Sequence, residues 1–141
     1  LRTMDLRRYE LVTLAAARAL RSHACLLAHG RKSLSVFGEE QLERIARDYR
    51  SAGLSDAEVA MMAYAERLSG DSSTMTTDDA AALRDAGFND DEIVDITIAA
   101  AARNFYSRSL HALGVALDVP PSRSPELAEA LLSGADRGDG T

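Results

Sequence analysis

A single cysteine, Cys25, occurs in the 141 residues, so no intrachain disulfide can staple this chain, and any thiol chemistry rests on that one side chain. Tryptophan is missing, prolines number three, and aromatic residues amount to four tyrosines and three phenylalanines. Alternating β-branched runs are missing too, which removes the usual signature of strands. No apolar run approaches the roughly 18 residues that span a bilayer, and no signal-peptide pattern opens the sequence as given. The expected setting is the cytoplasm, with no membrane partner. Clustered basic charge is equally scarce: the net charge is −6, and Arg7-Arg8 and Arg31-Lys32 are the only adjacent basic pairs. Neutralising phosphates needs such clusters, so no nucleic-acid partner is expected.

What is present is a globular composition, 46% hydrophobic and 27% charged, in a length that supports one core rather than two. Helix formers such as Ala, Leu, Arg and Glu are many, and the fold class read from them is all-α. Asp5 caps a first helix running towards Leu20, and Ser22 offers a second cap for a helix that Gly30 softens or ends. Apolar spacing predicts a helix over 39–50, closing at Gly53. Two helix starts repeat one grammar, Gly53-Leu54-Ser55-Asp56-Ala57-Glu58-Val59 and Gly87-Phe88-Asn89-Asp90-Asp91-Glu92-Ile93. In each, glycine ends one helix, Ser55 or Asn89 caps the next, and Glu58 or Glu92 stands at the third helical position. The stretch from Asp90 to about Leu117 is expected to be the buried central helix, broken near Ser107 or Gly114. Its His111 is expected to be buried, and Arg103, Asn104 and Arg108 to serve helix contacts or an interface. Pro120-Pro121 stops that helix, Ser124-Pro125 starts a last one through Leu132, and a polar tail follows. The domain reading is therefore 1–133, with 134–141 a disordered tail.

Cys25 and His29 stand four residues apart, which places both on one helix face where an imidazole can influence a thiol proton. With Ser22 as cap, Cys25 sits at the third helical position, where free backbone N–H groups favour a thiolate. On one continuous helix Glu10 would lie almost 30 Å from His29, at about 1.5 Å per residue. A chain reversal near Ser22 would instead bring the carboxylate to the imidazole and complete a carboxylate–imidazole–thiol relay. The same residues also suit a small core cysteine and a helix-end histidine with no chemistry at all. His23 is metal-capable like Cys25 and His29 but projects to a different face, so no metal is expected.

The order Glu10, then Ser22-His23-Ala24-Cys25-Leu26-Leu27-Ala28-His29-Gly30, resembles the active-site segment of the alkylhydroperoxidase AhpD-like, or carboxymuconolactone decarboxylase, family. That segment carries a glutamate ahead of a Cys-x-x-Cys-x-x-x-His motif. Glu10 matches the glutamate, Cys25 the second cysteine and His29 the histidine, while Ser22 replaces the first cysteine. Leu83 to Ile93, Asn104-Phe105-Tyr106-Ser107-Arg108 and Leu113-Gly114-Val115 resemble peroxidase-related members. The resemblance implies an AhpD-like helical bundle that assembles as a dimer, trimer or hexamer and reduces hydroperoxides without cofactor, metal or haem. Family members often carry further helices before the glutamate helix, which leaves room for a trimmed or shortened amino terminus.

Three readings follow. In the first, Cys25 reduces a hydroperoxide with His29 and Glu10 as proton relay and Ser22 and His23 in secondary places. An external thiol reductant, or Cys25 of another subunit, then resolves the sulfenic acid, because Ser22 excludes an internal disulfide cycle. In the second, His29 and Glu10 perform decarboxylase or lactone acid–base chemistry without cysteine redox. In the third, the scaffold persists in a non-catalytic oligomeric protein.

Overall fold

Asp5 starts the first helix as its side chain predicts: Oδ1 accepts from the Arg8 N–H at 2.8 Å. The computed structural model describes residues 2–115, 118 and 124–136, and among them every regular element is helical. The α-helices are α1 (Leu6–Ala19), α2 (His23–Phe37), α3 (Glu39–Asp48), α4 (Asp56–Asp71), α5 (Thr77–Asp85), α6 (Asp90–Leu113) and α7 (Pro125–Asp136). Short 3₁₀ turns at Tyr49–Ser51 and Ser72–Thr74 follow α3 and α4.

The central helix is α1 and not α6. Every residue from Glu10 to Ala17 is buried, and α1 packs against α2, α4, α6 and α7. Small side chains at Ala15, Ala16 and Ala17 let neighbouring helices approach from all sides. Helix α6 is instead two-faced. Ile93, Ile96, Ala99, Ala100 and Ser107 are buried, while Val94, Ile98, Phe105, Tyr106 and Leu113 are exposed. His111 is exposed as well, against the expectation of burial. The helix is unbroken at Ser107 and ends at Gly114, whose left-handed φ of +62° closes it. Residues 116 and 117, once expected to extend it, lie outside the described residues, as do Pro120-Pro121.

The repeated helix-start grammar appears in full. Gly53 (φ +75°) and Gly87 (φ +102°) turn the chain, and Ser55/Glu58 and Asn89/Glu92 form reciprocal capping boxes. Each boxed glutamate also receives an arginine from α1: Arg7 Nε donates to Glu58 Oε1 at 2.5 Å and Arg8 Nη1 to Glu92 Oε1 at 2.9 Å. The repeat thus fastens α4 and α6 to the start of the central helix. A third box, Thr76 with Asp79, starts α5.

The reversal between α1 and α2 occurs at Arg21, which adopts φ +51° while Ser22 N–H donates to Ala17 O at 2.9 Å. Ser22 holds the N-cap position of α2, but its hydroxyl makes no capping hydrogen bond. Gly30 does not end α2. A Cβ there would sit 2.4 Å from Leu131 Cδ1, so glycine is what admits α7 against the middle of α2. Gly134 plays the same part facing α3, where a Cβ would meet Ala46 O at 3.1 Å. These approaches explain why α7 continues through Gly134 to Asp136 rather than yielding to a tail after Leu132. Residues 137–141 lie outside the described residues.

Candidate active site

Helix α2 presents Cys25, His29 and Lys32 at spacings of four and three residues, so the three share one face. Helix α1 returns antiparallel beside it and supplies Glu10, and α6 crosses with Arg103 and Ser107. Glu10 and His29 are both buried, and Glu10 Oε2 lies 2.8 Å from His29 Nδ1. With the carboxylate as acceptor in this contact, Nδ1 is the donor and Nε2 is the ring nitrogen that does not face Glu10. Ser33 Oγ donates weakly to the same Glu10 oxygen at 3.4 Å, and the Tyr9 ring meets the imidazole edge-on at 6.3 Å between centroids. The imidazole is therefore held by Glu10 and Tyr9, and Glu10 in turn by Ser33.

Cys25 is 2% exposed, and two residues of α6 reach its sulfur. Ser107 Oγ lies 3.3 Å from Sγ, and Arg103 Nη1 donates to Sγ at 3.7 Å. Burial pushes the thiol up, but hydrogen bonds from Ser107, Ser22 and Arg103, with the Arg103 charge, outweigh it and hold the thiol below its ordinary value. The Ser22 hydroxyl, which makes no capping hydrogen bond, thus serves the sulfur instead. Arg103 Nε is buried with no hydrogen-bond partner, while the guanidinium stacks over Tyr106 at 5.5 Å. An unmade buried hydrogen bond costs about 1–3 kcal/mol, a burden on the fold that accompanies the placing of Nη1 at the sulfur.

Cys25 and His29 open into one cleft of about 470 Å³, together with Tyr9, Ala28, Lys32, Ala102, Arg103, Phe105 and Tyr106. His29 is not among the sulfur's hydrogen-bond partners, but both side chains face the same cleft. His23 lies apart from this group and pairs with Asp136 at the end of α7, Nε2 to Oδ1 3.1 Å. Among the described residues no cluster of three or more His, Cys, Asp or Glu could hold a metal ion, and no helix is long and apolar enough to cross a membrane.

Arg103, expected to serve helix contacts or an interface, and Ser107, expected near a break in the helix, both reach Cys25 instead. A signal was available: Arg103 and Ser107 are four residues apart on a helix and so share a face. An arginine one turn from a serine offers a paired donor set, but nothing local names Cys25 as its acceptor.

The Arg103 contribution is directly testable. In Arg103→Gln, the pH at which Cys25 is half-reactive towards iodoacetamide should move up towards the ordinary thiol value of about 8.5. A midpoint identical to wild type would remove the guanidinium from the account.

No protein-family model and no curated protein sequence matches the chain. Among solved structures it is similar to the alkylhydroperoxidase AhpD core of an uncharacterized peroxidase-related protein from Ralstonia eutropha JMP134. The TM-score is 0.70 at 22% identity, over 92% of this chain and 66% of that one. With that likeness across nearly all its length, the chain has the AhpD-like helical fold.

Proposed function

We propose that this chain is a thiol-dependent, peroxidase-like protein that reduces hydroperoxides through Cys25. The observation that carries the reading is the meeting, in one cleft, of a cysteine held below its ordinary pKa and a histidine oriented by a buried glutamate. The Cys25 thiolate attacks the distal peroxide oxygen, so an S–O bond forms, the O–O bond breaks and the alkoxide leaves. Cys25 is oxidised to the sulfenic acid and the hydroperoxide is reduced to the alcohol. The proton given up by the thiol returns to the alkoxide through His29 Nε2, with Glu10 balancing the transient imidazolium. Arg103 offsets charge at the sulfur throughout. A first external thiol then forms a mixed disulfide and releases water, and a second displaces it to regenerate Cys25.

The exposed apolar side chains Val94, Ile98, Phe105 and Leu113 support association of copies through α6.

The acid–base reading draws support from the absence of His29 among the sulfur's hydrogen-bond partners. Thiol alkylation separates the two. Protein alkylated at Cys25 should show no hydroperoxide turnover with an external thiol, and full turnover after alkylation would overturn the cysteine mechanism.

A further inference from the structure

Lys32 is the only lysine in the chain, against fifteen arginines, and it lines the Cys25 cleft. It is exposed and has no carboxylate partner among the described residues, unlike Arg7, Arg8, Arg44, Arg47, Arg50, Arg67 and Arg84, each of which is ion-paired. The other cation of the cleft, Arg103, is already committed to the sulfur. Among the described residues no Asp or Glu lines the cleft, because Glu10 is sealed behind His29. The remaining surface is apolar or aromatic: Ala28, Ala102, Phe105, Tyr106 and Tyr9. In a chain of net charge −6, an acid-free cleft with one uncommitted cation at its side is a recognition feature for an anion attached to an apolar body.

We infer that the cleft takes apolar hydroperoxides bearing a carboxylate, with Lys32 as the residue that sets this preference; the inference rests on the peroxidase reading for the reaction, though not for the binding. Lys32 follows Cys25 by seven residues on the same face, a rise of roughly 10 Å at about 1.5 Å per residue. The carboxylate should therefore stand on the order of 10 Å from the peroxide, a spacing found in a mid-chain hydroperoxide of a long fatty acid and not in short hydroperoxy acids. The long flexible stem of lysine allows some latitude in that length.

The test uses a ligand that cannot oxidise the thiol, the 9-hydroxy derivative of linoleic acid, and its methyl ester, as protectants of Cys25 against iodoacetamide. The acid should protect at a concentration about tenfold lower than the ester, and the gap should narrow as salt screens the pairing. In Lys32→Met the two should protect alike, while Lys32→Arg should retain the preference. Equal protection by acid and ester in the wild type, or a preference that survives Lys32→Met, would overturn the inference. The matching hydroperoxides give the kinetic arm, in which the acid should oxidise Cys25 faster than the ester. If no hydroperoxide oxidises Cys25 at all, the peroxidase reading fails while the protection result still decides the role of Lys32.

Discussion

Cys25→Ser is expected to bring hydroperoxide reduction by an external thiol down to the rate of the protein-free control. A serine hydroxyl fits the same space and can keep the Ser107 hydrogen bond, so the helices around it have no steric reason to move. What it loses is the polarisable, readily ionised sulfur, and an alcohol at its ordinary pKa is no nucleophile towards a peroxide oxygen. Steady-state turnover with a small dithiol, alongside the thermal unfolding midpoint, is the check. A folded Cys25→Ser protein with turnover near wild type would show that the sulfur is a core atom and that acid–base chemistry by His29 and Glu10 carries whatever activity the cleft has.

The second large effect is expected from Glu10→Leu. Glu10 is 1% exposed and its carboxylate is the acceptor that faces His29 Nδ1. Leucine fills much of the volume but accepts nothing, so the ring is free to turn and the Nε2 tautomer is no longer enforced. Loss of a positioned proton-transfer group costs about 10²–10⁴-fold in rate, and kcat/KM should fall within that range. Leaving the buried Nδ1–H unpaired costs a further 1–3 kcal/mol or so of folding stability, read as a lower urea midpoint. Glu10→Gln keeps an acceptor oxygen without the charge and should fall between the two. Because Ser107 and Arg103 still hold the sulfur, iodoacetamide reactivity should survive in Glu10→Leu while peroxide turnover does not. Equal loss of both would mean that the substitution damaged the cleft and not the proton relay.

The parts of this arrangement that were legible in the sequence are those written within a few residues. The Asp5 cap, both glycine-started capping boxes and the shared face of Cys25 and His29 depend on spacings of three or four residues, and helical geometry fixes such spacings wherever the helix forms. The Glu10–His29 contact was legible only on condition of a reversal near Ser22. That condition is met by Arg21 in the left-handed region, a conformation its residue type does not advertise. Ser107 and Arg103 come to Cys25 across some eighty residues, and no local pattern states which face of α6 meets which face of α2. The assignment of α6 as the central helix failed for a related reason. Apolar periodicity reports that a face prefers to leave water, not whether another part of the chain covers it, so Phe105 and Leu113 read as core yet lie exposed. Gly30 misled in the opposite sense: a helix-weakening residue by propensity, it is the space into which Leu131 packs.

The central claim, that Cys25 is a peroxide-reactive thiolate, is met most directly by adding one equivalent of a hydroperoxide to the reduced protein and following its intact mass, with a sulfenic-acid trap and Cys25→Ser as control. A fast, saturable gain of one oxygen, trapped at Cys25 and missing from the variant, is the predicted result. A thiol that remains reduced and free to alkylate after excess hydroperoxide would contradict the account.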